Sequence, residues 1–375
     1  MGISSSSLSH VDQANLKEVD CEPANLLSFM MLSTLLKENE NLIFSPYSAY
    51  VTLMMVASVC SESSRKEILD SFKLQSDLTP DDILNSIINL AKKIEKSATK
   101  TAIKSGNNIW PNSQNYNPKL FEPLMKFGIE ITPVEFPQPG CDQINEKVSD
   151  ITEGCIKNLL SPDNLIDCKY VITNAIYFKS EWISKFDLNE TKKQTFYHFD
   201  GTTQETELMI QISDFLYYQN SDLQLLCMEY NDGFRMYIFL PKQKDITSFN
   251  HLKDSLLLNY ENYIKNLQKE KVCVQIPKFK HEWDASLNDV LSNLGIKEVF
   301  VTNPNYVFIS EIKQKAFIEV NEDGTVAAAA TAAFADECGV MFDEEPIDFI
   351  ANHPFFYSIA HKDGTILFTG AYQKI

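Results

Sequence analysis

The chain has 375 residues, with 33 Lys+Arg against 51 Asp+Glu, a formal net charge of −18. Hydrophobic residues at 44% and charged residues at 22% are ordinary for a folded globular chain and exclude wholesale disorder. The acidic balance disfavours nucleic acid or an acidic membrane surface as the main partner and favours encounters with basic proteins.

Residues 1–20 read as a polar, disordered tail. They lack the basic start and apolar stretch of a signal peptide. Gly2 with Ser6 fits a myristoylation pattern, but one acyl chain binds membranes only marginally and no polybasic cluster follows, so no stable membrane association is expected. No apolar run is long enough for a transmembrane helix. A first helix is predicted from Pro23, with Leu26, Leu27, Met30, Met31 and Leu35 at helical spacing. Ser45-Pro46 signals a second helix start, and residues 50–60 are apolar nearly all round, as in a buried helix. Residues 63–73 and 81–96 are further helix candidates. Beyond residue 100 the texture turns to strands, at 234–241, 272–279, 312–320 and 365–370, with a helix at 286–295 between them. Helices first and strands later argue an α+β fold, and with no repeat or composition break the reading is one large domain over 21–375.

The chemistry-bearing residues are scattered. Cys21, Cys60, Cys141, Cys155, Cys168, Cys227, Cys273 and Cys338 include no C-x-x-C pair and read as free thiols. The six histidines show no metal-ligand spacing, and no nucleophile-elbow or phosphate-loop motif occurs. No enzyme, no metal and no cofactor is expected. One segment breaks the pattern. Residues 321–346 follow a good strand with no core face of their own, and six of the seven residues from Ala327 to Ala333 are alanine. Such a connection is usually functional or disordered, although the alanines alone could form a helix.

Glu322-Asp323-Gly324-Thr325-Val326-Ala327-Ala328-Ala329-Ala330-Thr331 resembles the hinge of an inhibitory serpin, a serine protease inhibitor. Residues 41–48 (NLIFSPYS), Asn174–Lys179 with Trp182 and Phe186, Ile276–Phe279, Asn352–Phe356 and Leu367–Gly370 resemble other family segments in order. The resemblance implies a single domain with three β-sheets, about nine helices and an exposed reactive-centre loop, here about 322–346. It also implies a suicide mechanism, in which a protease cleaves the loop, forms an acyl-enzyme and is dragged across the molecule as the loop inserts into the main sheet. The residues agree with that role. Thr325, Ala327, Ala329, Thr331, Ala333 and Ala335 would share one strand face, none is charged or large, and no proline occurs between Gly324 and Phe342. The resemblance further places Ser45, Ser48 and Asn174 in a polar cluster where the sheet opens, with Gln314 in place of the family's usual histidine. The amide can replace the imidazole hydrogen bonds but not its protonation. Lys92, Lys93, Lys96 and Lys100 read as a solvated helix face rather than a polyanion site.

The expected partner is therefore a serine protease held as a covalent acyl complex by a monomeric inhibitor. Alternatives are cross-class inhibition of papain-like cysteine proteases and a non-inhibitory serpin-fold protein. Counting fifteen residues back to the hinge glycine puts the reactive bond at Cys338-Gly339, whereas counting from Asn352-His353-Pro354 puts it nearer Val340-Met341, with Phe342 alongside. No Lys or Arg occurs between Asn321 and Ile350, so a chymotrypsin-like enzyme is expected. Acidic residues flanking the bait favour a basic one of the cathepsin G type. Without a signal peptide a cytoplasmic location is expected, with release by another route as the alternative.

Overall fold

The computed structural model describes residues 22–97, 103–325 and 345–375. Helix α1 (Glu22–Leu35) leads through strand β1 (Leu42–Phe44) to α2 (Pro46–Ala57), α3 (Glu62–Ser71) and α4 (Pro80–Ser97). Helix α2 starts because Ser45 is extended and its hydroxyl accepts from the Ser48 N–H, with Pro46 in the first turn. All 12 of its residues are buried, as an apolar surface on every side requires.

Next come β2 (Ile103–Pro111), α5 (Glu122–Lys126), α6 (Gly140–Ile151), β3 (Tyr170–Phe178), β4 (Ser180–Glu181), β5 (Lys192–Tyr197) and the long β6 (Thr203–Gln219). They are followed by β7 (Leu223–Glu229), β8 (Phe234–Pro241), α7 (Ile246–Lys265), β9 (Gln268–Pro277), β10 (Phe279–Ser286) and α8 (Asn288–Asn293). The chain closes with β11 (Glu311–Asn321), β12 (Gly324–Thr325), β13 (Ile347–Ile350), β14 (Phe355–His361) and β15 (Ile366–Tyr372). Among the described residues there are eight α-helices and five short 3-10 turns, against an expectation of about nine helices.

Two boundaries differ from expectation. The strand read at 272–279 is two strands, because at Lys278 the chain passes from pairing with β6 to pairing with β11. The helix read at 286–295 is shorter, since Ser286 still pairs with Lys313 at the end of β10. Gly295, at φ +98°, follows that helix in the left-handed conformation that favours glycine.

The main sheet runs β2-β3-β11, with β10 on the far side of β11 and β12 and β4 at one end. Strands β3 and β11 are parallel, and the other principal pairs antiparallel. The remaining strands follow the order β1-β15-β14-β8-β7-β6-β9-β13, with β5 also on β6. At 17 residues β6 joins two groups of strands: it pairs with β5 over 203–208 and with β9 over 208–217, β13 lying outside β9, and over 216–219 it pairs with β7, which leads on to β8, β14, β15 and β1. With the main sheet these make three.

Strand β3 is buried on both faces, in keeping with its nearly unbroken apolar run, whereas in β11 Glu311, Lys313, Lys315 and Glu319 interrupt the apolar residues and only its middle is buried throughout. One face carries Ile172, Ile176, Ile312, Ala316, Ile318 and Val320 into the large core that includes α2. The other carries Val171, Ala175, Tyr177 and Phe317 into a smaller core with Ile144 and Val148 of α6.

Candidate functional site

The seam between β3 and β11 organises the site. The strands pair directly from Val171↔Glu311 to Tyr177↔Phe317, and among the described residues no strand lies between them there. Further along they part. Strand β12 occupies the gap, with Thr325 opposite both Val320 and Ser180 and Gly324 opposite both Asn321 and Glu181. The hinge thus begins as a two-residue strand already seated in the upper end of the seam. Asn321 makes the turn by accepting from the N–H groups of Asp323 and Gly324 at 3.1 and 3.2 Å. Gly324 is required on two counts: its φ is +155°, and a Cβ there would lie 2.2 Å from the Ser180 carbonyl oxygen.

Aromatic and charged groups hold this upper end. Thr325 is fully buried, and its hydroxyl pairs with the Tyr230 hydroxyl at 2.6 Å. The Tyr230 ring stacks on Trp182 with centroids 4.1 Å apart. Trp182 reaches the turn twice, donating from Nε1 to Asn321 O at 3.0 Å and from its backbone N–H to Asp323 O at 2.9 Å. Burial pushes the Tyr230 phenol far up, so it remains a neutral hydrogen-bonding group. Glu322 accepts from the Thr191 hydroxyl at 2.7 Å and lies 3.3 Å from Lys278 Nζ. Burial works against the Lys278 charge, but the Glu207 and Glu322 carboxylates together raise its pKa. Lys185 bridges Glu181 and Asp323 at 3.0 and 3.1 Å, and the Glu181 bond leads in raising its pKa.

The lower end is neutral. Gln314 donates from Nε2 to Asn174 Oδ1 at 2.7 Å and to Ser45 O at 3.0 Å, and its Oε1 accepts from the Ser45 N–H at 3.0 Å. Gln314 and Asn174 are direct cross-strand partners on the two sides of the seam. Ser48 donates to Asn107 Oδ1 at 2.5 Å, and Asn174 donates to Thr52 Oγ1 at 3.0 Å. The structure therefore brings Ser45, Ser48, Asn174 and Gln314 together. Sequence reasoning missed Asn107 and Thr52. Thr52 follows Ser48 by one helical turn, which the sequence could have signalled, whereas Asn107 joins only through its register opposite Asn174.

The serpin (serine protease inhibitor) family profile matches residues 22–375. The chain belongs to the serpin family. Leukocyte elastase inhibitor A of Rattus norvegicus is 31% identical over 375 residues, covering 92% of this chain and 97% of that one. Antitrypsin of Bombyx mori is 29% identical over 362 residues, covering 91% of each chain. The crystal structure of Serpin48 from the insect Tenebrio molitor superposes with a TM-score of 0.82 at 24% identity, covering 98% of this chain and 100% of that one, a likeness of fold.

In this serpin the remaining hinge candidates Ala327, Ala328, Ala329, Ala330 and Thr331 lie outside the described residues, as do the reactive-bond candidates Cys338, Gly339, Val340, Met341 and Phe342. The loop's far end re-enters as β13, which pairs in parallel with β9. Tyr230 was missed by sequence reasoning, since a tyrosine after a strand carries no signal of its own. Of the lysines on α4, Lys93 lies 3.2 Å from Asp363. No helix among the described residues is long and apolar enough to cross a membrane, and no group of His, Cys, Asp and Glu there could hold a metal ion.

Proposed function

We propose that this serpin is a suicide inhibitor of serine endopeptidases, acting through cleavage of its loop and insertion of the hinge between β3 and β11. The observation that carries the reading is the seat of β12: Gly324 and Thr325 already stand in the parted end of the seam, aligned with the strands that would flank an inserted loop. Past Val326 the residues 327–333 are alanines and one threonine, which meet no charge or bulk penalty on entering a buried sheet. Relatives named leukocyte elastase inhibitor and antitrypsin support the inhibitory reading.

In this reading the protease serine attacks the loop carbonyl, the upstream segment advances between β3 and β11, and the tethered protease is distorted before the acyl ester hydrolyses. Each added strand widens the sheet by about 4.8 Å. The Gln314–Asn174 bond must therefore break. The scissile bond proposed first is Cys338-Gly339, since upstream length sets how far the protease is pulled, with Val340–Phe342 as the alternative window. The absence of Lys and Arg from 321–350 supports a chymotrypsin-like target, and the chain's charge of −18 a basic one. An SDS-stable higher-mass band with a chymotrypsin-like protease tests the reading. Ala327→Arg and Ala329→Arg should convert the inhibitor to a substrate, and mass spectrometry of the released fragment should cut within 338–342. Undiminished complex with both arginine variants would overturn insertion; fast inhibition of trypsin would overturn the target class.

A further inference from the structure

Building on the proposed loop insertion, we infer that the Gln314–Asn174 pair is a docking site for one residue of the chain's own loop, and that the Thr331 hydroxyl takes over the hydrogen bond those two amides share beforehand. Thr331 lies outside the described residues, and its place follows from strands that are already paired. Strand β12 is antiparallel to both its neighbours, with Thr325 opposite Val320 and Ser180, and Gly324 opposite Asn321 and Glu181. Each further step along the loop therefore moves one residue back on both flanks. The flanks keep a constant offset: Val171↔Glu311, Asn174↔Gln314 and Tyr177↔Phe317 have the same sequence separation as Ser180 and Val320. A bulge in one flank would break that offset. Continued through the seam, the ladder sets Ala329 between Ala316 and Ile176, Thr331 between Gln314 and Asn174, and Ala333 between Ile312 and Ile172.

Side-chain direction agrees with that register. Thr331 is an even number of residues beyond Thr325, so both would face the large core. On that side Thr325 meets Tyr230, Gln314 meets Ser45 and Asn174 meets Thr52. From Ala327 to Ala335, Thr331 is the one residue on this face whose side chain can form a hydrogen bond. Gln314 is likewise the polar residue of its face between Ile312 and Ile318, and Asn174 of its face between Ile172 and Phe178. The polar residues of all three strands fall on one rung.

The chemistry of the rung selects a hydroxyl. In the closed seam Gln314 Nε2 donates directly to Asn174 Oδ1 at 2.7 Å. A strand between them sets their backbones two strand spacings apart, about 9.6 Å, beyond the reach of that bond. A buried donor and a buried acceptor are then left facing the new strand. A hydroxyl has one proton to give and lone pairs to receive, so Thr331 can accept from Gln314 and donate to Asn174 at once. Alanine or valine at 331 would strand both amides, at the full cost of unmet buried polar atoms.

The test is guanidinium unfolding of the intact chain and of the chain nicked in its loop by a catalytic amount of thermolysin, with the cut placed beyond Ala335 by mass spectrometry. Nicking should raise the midpoint of the parent chain. Thr331→Val keeps the branched shape and the strand propensity but lacks the hydroxyl. It should lower the nicked midpoint by roughly 0.3 M and leave the intact midpoint unmoved, because there the two amides bond each other directly. Thr331→Ser should stay within roughly 0.1 M of the parent in both forms. The double change Thr331→Ala with Ala333→Thr moves the hydroxyl to the next position on the same face, between two isoleucines, and should do no better than Thr331→Val. A parent midpoint that nicking does not raise would overturn insertion itself, and the docking with it. A raised parent midpoint that Thr331→Val or the moved hydroxyl leaves undiminished would overturn the docking while the inhibitory reading stands.

Discussion

The two ends of the β3–β11 seam are held by different chemistry. The upper end uses an aromatic stack and the ion pairs Glu322–Lys278 and Asp323–Lys185, with Lys185 partly exposed. The lower end uses neutral amides and hydroxyls, and Ser45, Ser48, Asn174 and Gln314 have no exposed surface. The upper end is already parted by β12, while the lower end is shut by a direct Gln314–Asn174 bond. Salt and surface charge can therefore act on the upper end, but neither salt nor physiological pH reaches the lower one. The lower end resists opening by the cost of unpairing buried polar groups.

The largest expected effect tests whether acid acts at either end. His281 and His353 are both pushed down to about 4, by burial first, against opposing bonds to Leu42 O and Pro241 O respectively. Their unfolded value is about 6.5, so their neutral forms contribute full stability above that pH, and the contribution is lost as pH falls through 4. The loss is at most about 3 kcal/mol for each histidine. Neither belongs to the hinge turn or the polar cluster. Denaturant unfolding at pH 7 and pH 4 should show the loss, and His281→Gln with His353→Gln should remove most of it. A pH dependence abolished instead by seam substitutions would break the comparison.

At the lower end, Gln314→Leu keeps the volume but strands the Ser45 N–H and Asn174 Oδ1 without their partner, while the Ser45 carbonyl keeps only the Ala49 N–H. The expected cost is about 3–5 kcal/mol in urea unfolding, with faster insertion of the cleaved loop. A loss below about 1 kcal/mol would mean that the cluster rearranges freely. Much of this end was legible in the sequence. Ser45-Pro46 announced a helix start, and a glutamine among Ile312, Ala316, Ile318 and Val320 announced a buried polar group. Asn107 was not legible, because its membership depends on the pairing register of two strands more than sixty residues apart. The upper end was less legible still. The main reason for a glycine at 324 is steric and depends on where Ser180 passes, which no local pattern of the sequence shows. The division at Lys278 was lost for a similar reason, since a change of sheet leaves the strand-like texture intact.

Gly324→Ala addresses the upper end alone. A Cβ that would lie 2.2 Å from a backbone oxygen cannot be relieved by a side-chain rotation, so β12 must leave its seat. The expected loss is about 2–3 kcal/mol, the worth of the Thr325 hydroxyl bond and a short ladder. Hydrogen exchange should speed at Thr325 and the Asn321–Asp323 turn while the amides of β3 around Asn174 stay protected. Loss of protection at both ends would show one cooperative seam rather than two independent clasps.

The smallest effect isolates one bond. Tyr230→Phe keeps the ring, and with it the stack on Trp182, and removes only the hydroxyl that meets Thr325 at 2.6 Å. Thr325→Val removes the other partner while keeping the branched shape. Each change should cost about 1 kcal/mol, because Tyr230→Phe leaves the buried Thr325 hydroxyl unpaired and Thr325→Val leaves the Tyr230 hydroxyl only the weak Met236 Sδ acceptor at 3.9 Å. The double variant should cost less than the two singles together, since two apolar groups then face each other with nothing left unsatisfied. The double-mutant cycle should therefore give a coupling energy of roughly 1 kcal/mol. Additive losses would mean that the two hydroxyls act through other groups, and the upper clasp would then rest on Trp182 and the ion pairs alone.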